Sequence, residues 1–222
     1  MNVQRAVCAA VALTLLCSFR ASAQTTPRLE FRPFAVIAFE RFSASTTFDA
    51  AFGSSFQPLW GGGVEVTTRK RIFVDVTVTR LNRTGQQAFV NNGQVFRLDI
   101  PLHASLTPVE FTAGYRFPAK RRRWFGKSRR TIVIPYAGVG IGVYRYEETS
   151  EFAVASENVD ETHAGFVAVG GAEFRMSKWI GITADAQYTR VPDILGQGGV
   201  SQEVGERDLG GIAGRVRVIF GR

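Results

Sequence analysis

The feature that most constrains the fold of this chain is an alternation of apolar and polar residues with a period of two. It is clearest in Trp179–Arg190, where every second residue is apolar and the residues between are small or polar. Leu209–Phe220 repeats the pattern. Successive side chains of a β-strand point to opposite faces, so the alternation predicts strands with one apolar and one polar face.

Eight segments have this pattern, and most are about ten residues long, the length that a tilted strand needs to cross a bilayer. We predict strands at Phe31–Phe42, Trp60–Thr67, Ile72–Leu81, Pro108–Phe117, Tyr136–Tyr146, Ala164–Arg175, Trp179–Arg190 and Leu209–Phe220. The composition agrees with an all-β chain, because 23 glycines and 18 phenylalanines suit closely spaced, aromatic-rich strands.

The connections between these segments alternate between long and short. Residues 43–56, 82–107, 147–163 and 192–208 form long connections, 68–71 and 177–178 form short ones, and 118–130 is of medium length where a short one is expected. This rhythm is typical of membrane β-barrels. We therefore predict a single eight-stranded antiparallel up-and-down barrel, with a small extra hairpin at Val90–Val95 around an Asn-Gly turn.

The N-terminus has the pattern of a secretory signal peptide. Arg5 precedes the apolar run Ala6–Phe19, and Ala21-Ser22-Ala23 is a small-x-small cleavage site. We predict a signal peptide at residues 1–23, cleaved after Ala23, and one barrel domain at residues 24–222. A membrane helix is the alternative, but the run is short and Arg20 interrupts it. Both cysteines fall within the signal, so the mature chain has no disulfide and no cysteine-bound metal.

Alternation alone does not say which face of the barrel meets lipid, because a soluble ligand-binding barrel carries its apolar face inside. Two features favour a membrane barrel. The polar face has many glycines, which suit a narrow lumen. Aromatic residues lie near strand ends, where membrane barrels have aromatic girdles, as at Tyr115, Phe117, Tyr188 and Phe220. A secreted soluble barrel for an apolar ligand remains the alternative from another class.

With this assignment the lumen receives six acids and five arginines. They are Arg32, Glu40, Glu65, Asp75, Glu110, Arg116, Glu173, Arg175, Asp185, Arg215 and Arg217. In so narrow a space each charge needs a partner, and arginine suits bidentate pairing with carboxylates. The set predicts either a salt-bridged plug or a narrow pore for ions or small solutes. Glu173 and Arg215 serve as a trial pair.

No catalytic constellation, metal site or cofactor site is evident, so the sequence favours a non-enzymatic protein. His103 and His163 fall in loops or at strand ends, and His103 with Ser105 is too weak a signal for acyl transfer. No histidines or carboxylates have metal-ligand spacing. The glycine runs do not lead into helices, so they are not phosphate loops.

The strongest local anomaly is the basic segment at residues 120–130. Seven of its eleven residues are basic: Lys120, Arg121, Arg122, Arg123, Lys127, Arg129 and Arg130. They supply much of the net charge of +8. The predicted signal peptide argues against nucleic acid binding, because it directs the chain out of the cytoplasm. As a periplasmic turn, the segment is either a solvated turn that orients the barrel or a contact for anionic lipid or cell wall.

Two segments resemble strands of the outer membrane protein β-barrel superfamily, which includes the OmpA barrel domain, OmpX and the opacity-type small barrels. They are Val109–Phe117, with the sequence VEFTAGYRF, and Pro135–Gly142, with the sequence PYAGVGIG. The resemblance implies an outer membrane location, contact with its lipid, and insertion by the barrel-assembly machinery. It implies a structural or surface-exposed role. The superfamily usually ends on an aromatic residue, whereas Gly221 and Arg222 follow Phe220 here.

Overall fold

The computed structural model describes residues 29–91, 94–123, 130–150, 159–177, 179–196 and 199–221. The strands are β1 Glu30–Phe42, β2 Phe56–Thr67, β3 Ile72–Asn91, β4 Gln94–Arg116, β5 Lys120–Arg123, β6 Arg130–Ser150, β7 Val159–Arg175, β8 Ile180–Val191 and β9 Leu209–Phe220. Two short helices, α1 Ser45–Phe52 and α2 Gly199–Val204, lie in connections. Among the residues described, no helix is long and apolar enough to cross a bilayer.

Eight of these strands close into one antiparallel barrel. Each pairs with its neighbour in sequence, β9 returns to pair with β1, and β4 pairs with β6. The short strand β5 pairs only with the start of β6. Closure pairs the backbone groups of every strand within the sheet, as a membrane interior requires. The predicted all-β, eight-stranded up-and-down barrel is confirmed.

The alternation in the sequence becomes an alternation of exposure. Along β8, inward residues such as Thr183 and Gln187 are buried, whereas Ile180 and Tyr188 are exposed on the outside. The outer surface carries large apolar side chains on every strand between β1 and β9 except β5, and they include Val74, Val139 and Ile212. An exterior of this kind is unfavourable in water and suits lipid.

Exposed aromatic side chains mark both ends of this apolar belt. At the end with the short connections they are Phe31, Tyr115, Phe117, Trp179 and Phe220, and toward the other end they are Phe39, Phe56, Trp60, Phe166 and Tyr188. Between them the interior carries buried charges. A soluble barrel for an apolar ligand needs the opposite arrangement, so the structure contradicts that alternative.

Five strands, β2, β3, β4, β6 and β7, are longer than predicted by four residues or more, and the predicted long loops are correspondingly shorter. β3 and β4 pair continuously up to Asn91 and Gln94, with one irregularity near Gln86 and Ala88. The hairpin predicted at Val90–Val95 is present, since Val90 pairs with Val95 and Asn91 with Gln94, but it is the end of the β3–β4 hairpin and not a separate unit. Beyond the lipid neither face of a strand must be apolar, so the alternation fades although the backbone pairing continues.

The lumen is narrow enough that two inward aromatic rings need glycine opposite them. A Cβ atom on Gly63 would lie 2.7 Å from the Phe34 ring, and one on Gly114 would lie 2.5 Å from the Phe73 ring. Real Cβ atoms do not approach other atoms so closely. These glycines make room for the rings that flank the charged interior.

Candidate functional site

Ten of the eleven charged residues predicted to face the lumen are buried in the barrel, each at most 8% exposed. The exception is Arg175, whose side chain is 43% exposed at the rim of the inner mouth, the end of the barrel with the short connections. The buried charges fall into three groups at different heights. The three groups are called the inner, middle and outer groups below.

The inner group joins two carboxylates through two arginines. Arg32 places one guanidinium nitrogen 3.0 Å from Glu65 Oε1 and another 2.7 Å from Glu173 Oε1. Arg116 contacts the same two carboxylates. The rim residue Arg175 donates its Nε to Glu173 Oε1 at 3.1 Å. Arg32 and Arg116 thus each bridge two acids that come from different strands.

The middle group is built around Arg217, which is 1% exposed. Its guanidinium lies 3.2 Å from Asp185 Oδ2 and 3.4 Å from Asp75 Oδ2, and it donates to the Tyr136 hydroxyl at 2.5 Å. Its Cζ atom is 5.1 Å from the centre of the Phe34 ring and 5.2 Å from that of Tyr136. The aromatic faces add cation–π attraction to the ion pairs.

The outer group connects to the middle group through Asp185. Arg215 donates its Nε to Asp185 Oδ1 at 2.6 Å, and its Nη1 lies 3.8 Å from Glu110 Oε2. Glu110 Oε1 accepts hydrogen bonds from the Tyr144 hydroxyl at 2.8 Å and from Gln187 Nε2 at 2.9 Å. Glu40 lies in the same group and lines a small cavity beside Glu110.

The trial pair of Glu173 with Arg215 is wrong. Glu173 belongs to the inner group, and Arg215 to the outer group. Sequence parity identifies the face of a residue but not its height relative to residues on distant strands. Pairing across the barrel depends on strand tilt and stagger, which alternation does not encode.

Above the outer group, the interior of the barrel is apolar, and the sequence analysis missed this feature. A buried cluster fills the outer mouth and includes Phe42, Phe48, Leu81, Leu106, Tyr146, Ile194, Leu195 and Leu209. The Phe42 and Phe48 rings stack with their centres 4.3 Å apart. Some of these side chains come from connections that were predicted only as loops. Their apolar character was the available signal, since solvated loops seldom need phenylalanine or isoleucine.

One carboxylate joins the two connections that carry this cluster. α1 has no side-chain cap of its own, and Glu206 accepts hydrogen bonds from the Thr46 and Thr47 amides at 3.0 and 2.8 Å. The Thr47 hydroxyl donates to it at 2.6 Å. Partial burial works to raise the pKa of Glu206, but the bonds from Thr47 and Thr46 outweigh it and hold the pKa below its ordinary value. The ionised carboxylate therefore holds the N-terminus of α1 in place.

The histidines have ordinary structural partners. The His103 ring lies 3.0 Å from the Thr84 hydroxyl, whereas Ser105 donates to Glu147 at 3.0 Å, so His103 and Ser105 do not form a pair. His163 Nε2 lies 3.4 Å from Glu161. Within the described part of the chain, no group of histidine and acidic residues could hold a metal ion.

The structure covers the basic segment only in part. Lys120, Arg121, Arg122 and Arg123 form β5, which pairs with the start of β6, where Arg130 lies. Lys127 and Arg129 lie outside the described residues, as do the predicted signal peptide and its cleavage site. β5 follows β4 at the inner mouth, the end of the barrel that also carries the β2–β3 turn.

The contacts of Asp185 and Arg215 lead to a double-mutant test. Removing either partner strands a buried charge, so we expect Asp185→Asn and Arg215→Gln each to destabilise the folded barrel by about 3–5 kcal/mol. The double variant should lose clearly less than the sum, because the two groups touch. Equilibrium unfolding in lipid or detergent measures all of these variants.

Glu173→Gln combined with Arg215→Gln is the matched control for this cycle. These residues lie in different groups, so their effects should add to within about 0.5 kcal/mol. Strict additivity for Asp185 and Arg215 would contradict the arrangement described here.

Comparison with known proteins gives one family match and several similar solved structures. Residues 9–205 match the family described as outer membrane protein beta-barrel domain. The structure of Neisserial surface protein A is similar, with 14% identity, coverage of 85% of this chain and 96% of that one, and a TM-score of 0.49. Ail, the attachment invasion locus protein of Yersinia pestis, is similar with 12% identity, coverage of 86% of this chain and 97% of that one, and a TM-score of 0.47.

A third similar structure is the N-terminal β-barrel domain of Pseudomonas aeruginosa OprF, with 10% identity, coverage of 85% and 97%, and a TM-score of 0.42. No curated protein sequence gives a significant match. The family match spans most of the chain and agrees with the closed barrel and its apolar outer belt. This chain belongs to the outer membrane protein β-barrel family and is a protein of the outer membrane.

Proposed function

We propose that this protein is a non-enzymatic outer membrane barrel with a structural or surface-exposed role and a lumen closed by ion-paired side chains. The observation that carries the proposal is the stack of inner, middle and outer charged groups beneath the apolar cluster of the outer mouth. A barrel of eight strands encloses only enough room for side chains to fill.

The ion pairs make this filling firm. A permeating ion would have to separate pairs such as Arg217 with Asp185, and stranding one buried partner costs about 3–5 kcal/mol. Above them, an apolar mouth disfavours any hydrated ion. Both barriers support a closed barrel over the alternative of a narrow pore.

The outer end of the barrel supports a surface-exposed role. β3, β4 and β6 have 20, 23 and 21 residues, whereas β8 and β9 have 12 each. The additional length extends past the outer aromatic residues, as the β3–β4 hairpin does. Function in barrels of this type resides on such exposed segments, which a rigid scaffold positions. The exposed hairpins are therefore the surface where we place contact with an external partner.

The proposal includes export and membrane insertion. Residues 1–23 act as a signal peptide that is removed after Ala23, and the barrel-assembly machinery inserts residues 24–222 into outer membrane lipid. The apolar run and small-x-small site support cleavage, and the closed apolar belt supports insertion. The N-terminal residue of the protein purified from membranes tests the cleavage, with Gln24 as the expected result and an intact residue 1 as the contrary one.

The inner mouth fits contact with anionic lipid headgroups. Exposed basic side chains follow β2 at Arg69, Lys70 and Arg71, and the basic strand β5 lies at the same end. Exposed Trp179 and Phe117 lie at the same end of the barrel, and aromatic residues favour the membrane interface. We assign contact with anionic lipid to this end of the barrel, and we do not assign nucleic acid binding to it.

Conductance tests the closed lumen. The pure protein in a planar bilayer should give no steady, resolved current steps, because side chains fill the path. A variant with Tyr136→Ala and Arg217→Ala removes two large inward groups and should raise the leak, which shows that the assay detects an open path. Steady conductance of the unaltered protein would overturn the closed lumen and support the pore.

Lipid selectivity tests the inner mouth. Arg121→Gln, Arg122→Gln and Arg123→Gln together should reduce the enrichment of anionic lipid around the reconstituted barrel, measured with spin-labelled phosphatidylglycerol. The difference should shrink as salt rises, since exposed charges are screened over about 8 Å at physiological ionic strength. Arg80→Gln with Arg83→Gln, at the opposite end, is the control. An equal loss in both variants, or none, would refute lipid contact at β5.

A further inference from the structure

The buried charges of the barrel do not balance within each region. In the inner group, the buried Arg32 and Arg116 balance the two acids Glu65 and Glu173, and the exposed Arg175 adds a contact at the rim. In the middle and outer groups, the two arginines Arg215 and Arg217 face four acids: Glu40, Asp75, Glu110 and Asp185. The outer part of the lumen therefore has an excess of negative charge.

Glu40 accounts for part of this excess. It is 7% exposed, and among the described residues no cationic side chain lies within ion-pair distance of its carboxyl. Arg215, the nearest candidate, is bound to Asp185 at 2.6 Å and is oriented toward Glu110. A buried carboxylate without a positive partner is too costly to persist, so something else must neutralise it.

The cavity beside Glu40 has the size and lining for a small cation. It measures about 20 Å³, enough for one particle the size of a water molecule. Much of the lining is apolar, and the polar side chains around Glu40 include Thr79, Glu110, Gln187 and Arg215. These side chains come from β1, β3, β4, β8 and β9, so the cavity is a meeting point of most of the barrel.

Gln187 provides a second, independent observation. It is 6% exposed, and its Nε2 donates to Glu110 at 2.9 Å and to Thr189 at 3.0 Å. These bonds fix the orientation of the amide, because a reversed amide would place its oxygen against the Glu110 carboxylate. The Gln187 Oε1 atom is left buried without a partner among the described residues. A buried acceptor of this kind requires a donor or a cation.

We infer that this cavity binds one monovalent cation, either a proton carried on Glu40 or a sodium ion, which neutralises the Glu40 carboxylate and satisfies Gln187 Oε1. Both sources supply a single positive charge to the same oxygens. The charged and titratable groups that face Glu40 are Glu110, Tyr144 and Arg215. The cavity has room for one particle the size of a water molecule and is too small for a hydrated divalent ion.

The inference goes beyond a closed structural barrel and does not depend on whether the lumen conducts. Its consequence is that the folded state takes up a cation that the unfolded chain does not. Folding stability then depends on the concentration of that cation by mass action. The dependence belongs to a single side chain, so one substitution should abolish it.

Equilibrium unfolding of the full barrel in detergent tests the site in two arms. The Glu40→Gln variant keeps the shape of the side chain but needs no cation, and Glu203→Gln, at an exposed carboxylate of α2, is the matched control. In the first arm pH is varied at fixed salt. If Glu40 holds a proton, the unfolding constant of the wild type should rise, relative to that of Glu40→Gln, by up to about tenfold per pH unit above the ordinary carboxyl range.

The sign follows from the cation held by the folded state. A group that keeps its proton when folded and loses it when unfolded contributes stability at low pH, and this stability is lost as pH rises. In the second arm sodium replaces choline at constant ionic strength and pH. If sodium occupies the site, the wild-type unfolding constant should fall by up to about tenfold for each tenfold increase in sodium. Glu203→Gln should follow the wild type in both arms.

Infrared spectroscopy of the wild type keeps the test decisive even when Glu40→Gln does not fold. A proton on Glu40 gives the carbonyl band of a neutral carboxylic acid at neutral pH. The inference is overturned when the wild type has neither this band nor any sodium dependence. It is also overturned when Glu40→Gln retains the full dependence on pH and sodium that the wild type has.

Discussion

The structure depends on the closure of an eight-stranded sheet around a lumen that only side chains can fill. Closure leaves no strand edge in the apolar belt, because each of the eight strands pairs with a neighbour on both sides. It also fixes two environments on opposite faces of each strand. The outer face contacts lipid and must be apolar, whereas the inner face must fill a narrow space and satisfy whatever it buries.

The inner face meets this requirement with charge rather than with hydrocarbon. Each buried arginine contacts more than one acceptor, as Arg217 does with Asp75, Asp185 and Tyr136. Planar guanidinium groups are suited to such bridging because they present several donors in fixed directions. Breaking one contact would strand another, so the network holds the strands at fixed heights. Glu40 is a buried acid that has no ion-pair partner among the described residues.

Much of the fold could be predicted from the sequence, because the period-two pattern reflects the lipid on one face of each strand and the lumen on the other. Along β8, the parity of Ile180 and Thr183 predicted which side chain is outside and which is inside. The ends of β3 and β4 could not be predicted, since outside the lipid the two faces no longer differ. The apolar cluster around Phe48 and Ile194 was missed because it forms only when two distant connections fold over the same mouth.

The partners within the lumen were beyond the reach of pattern alone. Glu173 and Arg215 share an inward parity but belong to different groups, because tilt and stagger place residues of distant strands at heights that parity does not contain. The buried Gln187 Oε1 atom, which has no partner among the described residues, could not be predicted either, because its surroundings depend on three-dimensional contacts. What a sequence of this kind encodes well is the face of each residue, and what it encodes weakly is the neighbour across the barrel.

The central claim is that alternate residues of each strand face lipid, and single-cysteine labelling along β8 tests it most directly. The chain has two cysteines, Cys8 and Cys17, and none in residues 24–222, so each introduced thiol is unique there. A fluorophore at Ala184, Ala186 or Tyr188 should be quenched by nitroxides attached to lipid chains. One at Thr183 or Gln187 should be inaccessible or perturb folding. Quenching with the opposite parity, or with no parity, would contradict the account.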